Sequence, residues 1–149
     1  KMYAERLNRI CKLEVKEAEN GDRVRRGLVL IAPGGPLQMR VEKDLKGFYV
    51  SCQPGEKVNG HRPSVDVLFS SVAKKAGKSA VGIIMTGMGR DGASGLLEMR
   101  QAGAFTIGQD KESCVVYGMP MVAYDIGGVC VQASCTNISN VLLNQLRKM

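Results

Sequence analysis

The chain has 149 residues, 44% of them hydrophobic and 23% charged, the make-up of one globular domain with a buried core. No apolar run approaches the roughly 20 residues that span a bilayer, and no secretory signal opens the sequence, so a cytoplasmic protein without membrane insertion is expected. Net charge is +7, but the early basic residues (Lys1, Arg6, Arg9, Lys12, Lys16, Arg23, Arg25, Arg26) are interleaved with Glu5, Glu14, Glu17 and Glu19, and aromatics are only 5%, so no stacking platform for nucleic acid is visible.

The chain opens on Lys1 rather than methionine, which suggests processing or a piece of something longer. Met2, Tyr3, Leu7, Ile10 and Cys11 are spaced for one helical face. Leu13 to Ala18 alternates as a short strand, and Glu19-Asn20-Gly21-Asp22 is a turn. Leu28 to Ala32 is a continuous apolar run, which predicts a strand buried on both faces and stopped by Pro33-Gly34-Gly35-Pro36. Leu37 to Val41 and Phe48 to Cys52 flank the polar turn Lys43 to Gly47 as a β-hairpin with one wet side. After Pro63, the spacing of Val65, Leu68, Phe69, Val72 and Ala76 predicts an amphipathic helix that Gly77 ends.

The second half alternates strands and helices. Ala80 to Met85 reads as a strand, Asp91 to Ala102 as a helix closed by Gly103, and Phe105 to Gly108 as a strand. Met119 to Tyr124 reads as a helical turn, Val129 to Val131 as a strand, and Ile138 to Met149 as a final helix. The pattern predicts an α/β fold: a doubly wound, mainly parallel sheet with helices on both faces and an added β-hairpin, in three α/β/α layers.

The five cysteines (Cys11, Cys52, Cys114, Cys130, Cys135) form no C-x-x-C pair and read as scattered buried thiols; with a single histidine, neither a metal site nor a cofactor is expected. The most informative run is Met85-Thr86-Gly87-Met88-Gly89-Arg90-Asp91-Gly92, a glycine-rich turn between strand and helix, where α/β proteins place their chemistry. Asp91 has two readings there. It caps its own helix, or it orients a histidine by accepting the Nδ1–H, and a carboxylate with two oxygens can do both. Gly87 and Gly89 allow close approach of backbone N–H groups, and the Met88 N–H could stabilise an oxyanion. A nucleotide-binding turn is the weaker alternative, since neither phosphate-loop pattern is met. His61, Ser64 and Asp66 are too close in sequence for an ordinary triad, and a Cys114–His61 pair has no local signature. Ser113 to Pro120 is either a packed turn with Pro120 starting a helix or a wall of the cleft.

Taken together, Ile31-Ala32-Pro33-Gly34-Gly35, His61 to Phe69, Thr86 to Ala93 and Ser113 to Pro120 resemble the C-terminal catalytic domain of the chemotaxis protein-glutamate methylesterase family (CheB type), in order and over essentially the whole chain. The resemblance implies a serine hydrolase that demethylates, and in many members deamidates, chemoreceptors. It implies Asp91 as the triad aspartate and the Met88 backbone as an oxyanion donor. The implied partners are methyl-accepting chemotaxis receptors, with a receiver domain in the full-length parent. The family's G-x-S-x-G-G and Q-H-M-P motifs are absent. Residues 1–149 are therefore expected to be the C-terminal part of the catalytic domain, without its first strands, its Ser or its His, and inactive alone. The alternative is a non-catalytic module that binds chemoreceptors.

Overall fold

Two units make up the computed structural model, which describes residues 1–149: Lys1–Ser64 and Val65–Met149.

In the first unit, α1 (Met2–Ile10) leads into β1 (Glu14–Glu17), which pairs in parallel with β2 (Leu28–Ile31). The predicted α1 helix forms, but of the apolar face that the spacing marks only Leu7 is even half-buried. Met2 and Ile10 are exposed, Ala4 is buried, and Asn8 Oδ1 accepts the Val15 N–H at 2.8 Å. β2 corrects the expectation of a strand buried on both faces: all four residues are half-buried, and β1 is its one paired strand. Apolar content alone does not bury a strand; neighbours do.

The hairpin runs further than expected, with β3 (Leu37–Asp44) antiparallel to β4 (Gly47–Pro54) around a tip at Leu45-Lys46. Met39, Val50 and Cys52 are buried along it. The Glu19–Asp22 turn ties to β4 through Gly21 N–H to the Val50 carbonyl and Val50 N–H to the Asp22 carbonyl. Three of the eight early basic side chains form ion pairs: Lys16 with Asp22 (3.0 Å), Arg25 with Glu14 (2.6 Å) and Arg23 with Asp44 (2.8 Å). The Arg23 guanidinium holds the Asp44 carboxyl down at about 2.

In the second unit, α2 (Val65–Lys75) and a 3₁₀ turn (Gly77–Ser79) precede three parallel strands, β5 (Val81–Ile84), β6 (Phe105–Gln109) and β7 (Val131–Ala133), with β6 in the middle. α3 (Ala93–Gln101) connects β5 to β6, α4 (Met119–Asp125) connects β6 to β7, and α5 (Ile138–Leu146) ends the chain. Ile84, Leu96, Met99, Ala123 and Val129 form one core with Phe69 and Val72 of α2, on one side of the sheet. Ile107, Ala133 and Ile138, with Val81, Ile83 and Phe105, form the other, against α5. In β5 alternate residues thus feed opposite cores, Ile84 one and Val81 and Ile83 the other, the pattern of a strand covered on both faces. The fold is α/β, in three α/β/α layers, as the sequence pattern predicts.

Three elements of this unit differ from expectation by two or more residues at a boundary. α3 begins at Ala93, not Asp91, because Gly92 stands before it at φ 96° in the left-handed region. β7 begins at Val131, not Val129. The hydroxyl of Thr106 donates to the Gly128 carbonyl (2.6 Å) and accepts the Cys130 N–H (2.9 Å), so this stretch bonds to a side chain before it joins the ladder. The final helix ends at Leu146 rather than running on to Met149. The thiols differ as well. Only Cys52 is buried; Cys114 and Cys130 are half-buried, and Cys11 and Cys135 are exposed. None of the helices is long and apolar enough to cross a membrane.

Candidate active site

The turn after β5 is pinned at both ends. At its start, the Thr86 N–H donates to Gln109 Oε1 at 2.7 Å, and the Thr86 hydroxyl bonds both the N–H and the carbonyl of Val116 (2.9 and 3.1 Å). The Gly87 N–H donates to the Val116 carbonyl at 3.0 Å, and the Gly87 carbonyl accepts the Gly118 and Met119 N–H groups (3.2 and 2.9 Å). Thr86-Gly87 and Val116 to Met119 therefore run side by side, with a parallel bridge between Gly87 and Tyr117. Glycine is required at this crossing: a Cβ on Gly118 would lie 2.6 Å from the Gly87 carbonyl oxygen. Pro120 occupies the first turn of α4, where its missing N–H costs nothing. The run Ser113 to Pro120 is thus both a packed turn and a wall beside the glycine-rich loop.

At the far end stands Asp91, 4% exposed. Its Oδ2 accepts the Val65 N–H at 2.7 Å and its Oδ1 the Asp66 N–H at 3.2 Å. Asp91 is therefore a helix cap, but of α2 rather than of α3, the helix that follows it in the chain. Asp66, in the first turn of α2, returns the arrangement: its Oδ1 accepts the Gly95 N–H of α3 at 2.7 Å. Each helix start is satisfied by the other's carboxylate, and each carboxylate gains from the partial positive charge there. The close approach depends on two more glycines. A Cβ on Gly92 would fall 2.8 Å from Val65 Cγ1, and one on Gly95 2.6 Å from Phe69 Cβ.

Between the pinned ends the turn is exposed. The N–H groups of Met88, Gly89 and Arg90 meet no acceptor within the chain, and the Met88 side chain is 80% exposed. Gly89 holds a φ of 87°, a left-handed conformation that glycine adopts without strain. Three backbone donors on one exposed turn can hold an anion or an oxygen that is becoming one.

The other sequence candidates are placed differently. His61 is exposed; its backbone exchanges two hydrogen bonds with Val58, and its carbonyl also accepts Gln38 Nε2 at 3.3 Å. Ser64 is buried with its N–H on Gln38 Oε1 at 2.8 Å. Arg62 binds the carbonyls of Gly35 and Gly55 at 3.0 and 3.1 Å. Burial pushes the Cys114 thiol up, opposed by a hydrogen bond with Thr86, whereas a cysteine nucleophile needs its pKa lowered. Two residues escape the sequence reading. Gln109 is a polar side chain at the end of a short strand, with no local signal for its partners, and Asp66, named only in an all-local triad, carries no signal that distinguishes a cap for a distant helix.

Comparison with known proteins decides the family. A family model described as CheB methylesterase matches residues 1–142. The chain belongs to the CheB methylesterase family. It is 61% identical over 149 residues to a protein-glutamate methylesterase/protein-glutamine glutaminase 2 of Syntrophomonas wolfei, covering 98% of this chain and 43% of that protein. It is 50% identical over 144 residues to the protein-glutamate methylesterase/protein-glutamine glutaminase of Escherichia coli K12, covering 97% of this chain and 41% of that one. The chain thus spans about two fifths of these relatives. The crystal structure of the Thermotoga maritima CheB methylesterase catalytic domain superposes with a TM-score of 0.92 at 32% identity, over 97% of this chain and 76% of that one. Against this family, the buried carboxylate and the N–H groups without acceptors are the features to explain.

Proposed function

We propose that these residues are the C-terminal part of a protein-glutamate methylesterase catalytic domain acting on methyl-accepting chemotaxis receptors in the cytoplasm, and that Asp91 and the Met88 N–H belong to its acyl-transfer site. The supporting observation is the turn itself: a carboxylate 4% exposed and held by two backbone N–H groups, directly after three backbone donors without acceptors. In this reading a serine hydroxyl attacks the ester carbonyl and a histidine takes its proton. Asp91 accepts the Nδ1–H of that histidine and stabilises the imidazolium. Negative charge gathers on the carbonyl oxygen, where the Met88 N–H meets it. Methanol leaves with the proton, and water repeats the sequence to free the glutamate. With an amide in place of the ester, ammonia leaves instead, and the same groups deamidate glutamine.

The serine and the histidine belong to segments outside these 149 residues, as the much greater length of the relatives permits, and a receiver domain accompanies them. Within the chain, His61 is the single histidine, and its role is structural. By itself, then, the chain does not cleave the ester. The test is methanol release from a peptide carrying a glutamate γ-methyl ester. The intact protein should turn it over and purified Lys1–Met149 should not. Turnover by the 149-residue chain at an enzymatic rate refutes the division of the site; no turnover by the intact protein refutes the esterase reading.

A further inference from the structure

The acyl-transfer reading names donors and a carboxylate but not what keeps the donors in place. Gln109 ends the central strand β6 and is 2% exposed. Its Oε1 accepts the Thr86 N–H at 2.7 Å, while its Nε2 donates to the carbonyl and the hydroxyl of Ser113 at 2.9 and 3.2 Å. These partners fix its orientation, because a flipped amide would set NH₂ against the Thr86 N–H. Ser113 is itself held. Its hydroxyl donates to Asp110 Oδ1 at 2.7 Å and accepts the Cys135 N–H at 3.0 Å, and its N–H donates to the same Asp110 oxygen at 3.0 Å.

The two segments that Gln109 touches are the two that meet at the turn. One enters it through Thr86; the other runs from Ser113 to Val116, which takes the Thr86 hydroxyl and the Gly87 N–H. The Met88 N–H has no acceptor in the chain, so its position depends on these two rails. The Gln109 carboxamide joins the two segments just before they bond each other directly.

We propose that Gln109 is a positioning residue for the oxyanion-binding turn, acting through Thr86 and Ser113 and touching no substrate. The proposal rests on the reading of Met88 as an oxyanion donor. Misplacing a donor weakens interactions made in the transition state more than those made with bound substrate, so the loss falls on kcat. Gln109→Met keeps the volume and removes all three bonds. Gln109→Glu keeps the acceptor for Thr86 and puts a carboxylate oxygen, unable to donate, against the Ser113 carbonyl. Thr106→Val is the control: it removes another buried hydrogen-bonding group of β6, one that serves Gly128 and Cys130 instead.

The experiment measures methanol release from a glutamate γ-methyl ester peptide by the intact protein, with thermal melting of each variant. Gln109→Met should lower kcat by about 10- to 100-fold while KM moves by less than about threefold. Thr106→Val should lose stability with kcat nearly unchanged. Should Gln109→Met fail to fold, Gln109→Glu is read in its place and should show the same split. A kcat within about twofold of wild type in the Gln109 variant, or one reduced no more than in Thr106→Val, overturns the proposal. Asp91→Asn in the same assay separates the two levels. If it too leaves kcat unchanged, the placement of the acyl-transfer site at this turn falls with the proposal; if it abolishes turnover while the Gln109 variant does not, Gln109 alone is misassigned.

Discussion

Gln38 and Gln109 lie in different units and perform the same mechanical task with different results. Each is almost wholly buried, at 1% and 2% exposure, and each uses both ends of its amide to hold a loop. Gln38 donates to the Glu56 carbonyl at 2.8 Å and accepts the Ser64 N–H at 2.8 Å. The loop it holds consumes its polar groups: Val58 and His61 bond each other, and Arg62 takes two carbonyls. The loop that Gln109 holds leaves the donors of Met88, Gly89 and Arg90 without an acceptor in the chain. A buried amide costs folding free energy unless all its bonds are made, so both glutamines are structural commitments. Only one of those commitments leaves backbone donors for a ligand. Two motifs that look equally specific in the sequence, His61-Arg62-Pro63-Ser64 and Gly87 to Gly92, separate once hydrogen bonds are counted.

The sharpest way to break this contrast is at Asp91. In the intact protein, Asp91→Asn should lower methyl-ester turnover by about 10³- to 10⁴-fold, the loss seen when the orienting group of a triad can no longer stabilise the histidine. The fold should survive, because the amide oxygen still accepts one of the two N–H groups at the start of α2 and is isosteric with what it replaces. Steady-state turnover with far-UV circular dichroism checks both halves. Full turnover would leave Asp91 as the cap of α2 and nothing more.

A smaller effect sharpens the crossing of the turn with its wall. Gly118→Ala places a Cβ 2.6 Å from a backbone oxygen, that of Gly87, whereas Gly87→Ala meets the Met119 Sδ at 2.5 Å, the end of a flexible side chain. Gly118→Ala should cost about 1–3 kcal/mol in denaturant unfolding and reduce turnover as the rails part. Gly87→Ala should cost less, because Met119 can change rotamer. Equal costs would mean that the crossing yields as a whole.

How much of this is legible in the sequence depends on range. Strand, turn and helix around Gly87 to Gly92 are local patterns, and apolar spacing locates α2 through Val65, Leu68, Phe69 and Val72. The assignment of Asp91 to a helix start is legible too, since short acidic residues are good caps, but not which helix. Its partners lie 25 and 26 residues away, and the αL glycine between Asp91 and α3 detaches it from its own. Gln109 has no periodicity to betray it; its meaning comes from Thr86 and Ser113, which only folding brings to it. The half-burial of β2 is likewise a property of its neighbours, which an apolar run of four residues does not encode. The start of β7 was hidden by the Thr106 hydroxyl, a competitor for the backbone that a strand pattern ignores.

The last test asks whether the histidine motif is backbone or side chain. The His61 ring is exposed, while its main-chain N–H and carbonyl hold Val58 and its carbonyl accepts from Gln38. His61→Ala keeps every one of these main-chain bonds, so it should change unfolding free energy by no more than about 0.5 kcal/mol. Gln38→Met, by contrast, strips acceptors and donors from Glu56, His61 and Ser64 at once, and leaving buried groups unpaired should cost about 1–3 kcal/mol. Urea titration of both variants beside wild type reads the difference directly. The opposite ranking would mean that the ring itself is engaged, and the contrast between a loop that spends its polar groups on structure and one that keeps them for a ligand would have to be drawn elsewhere.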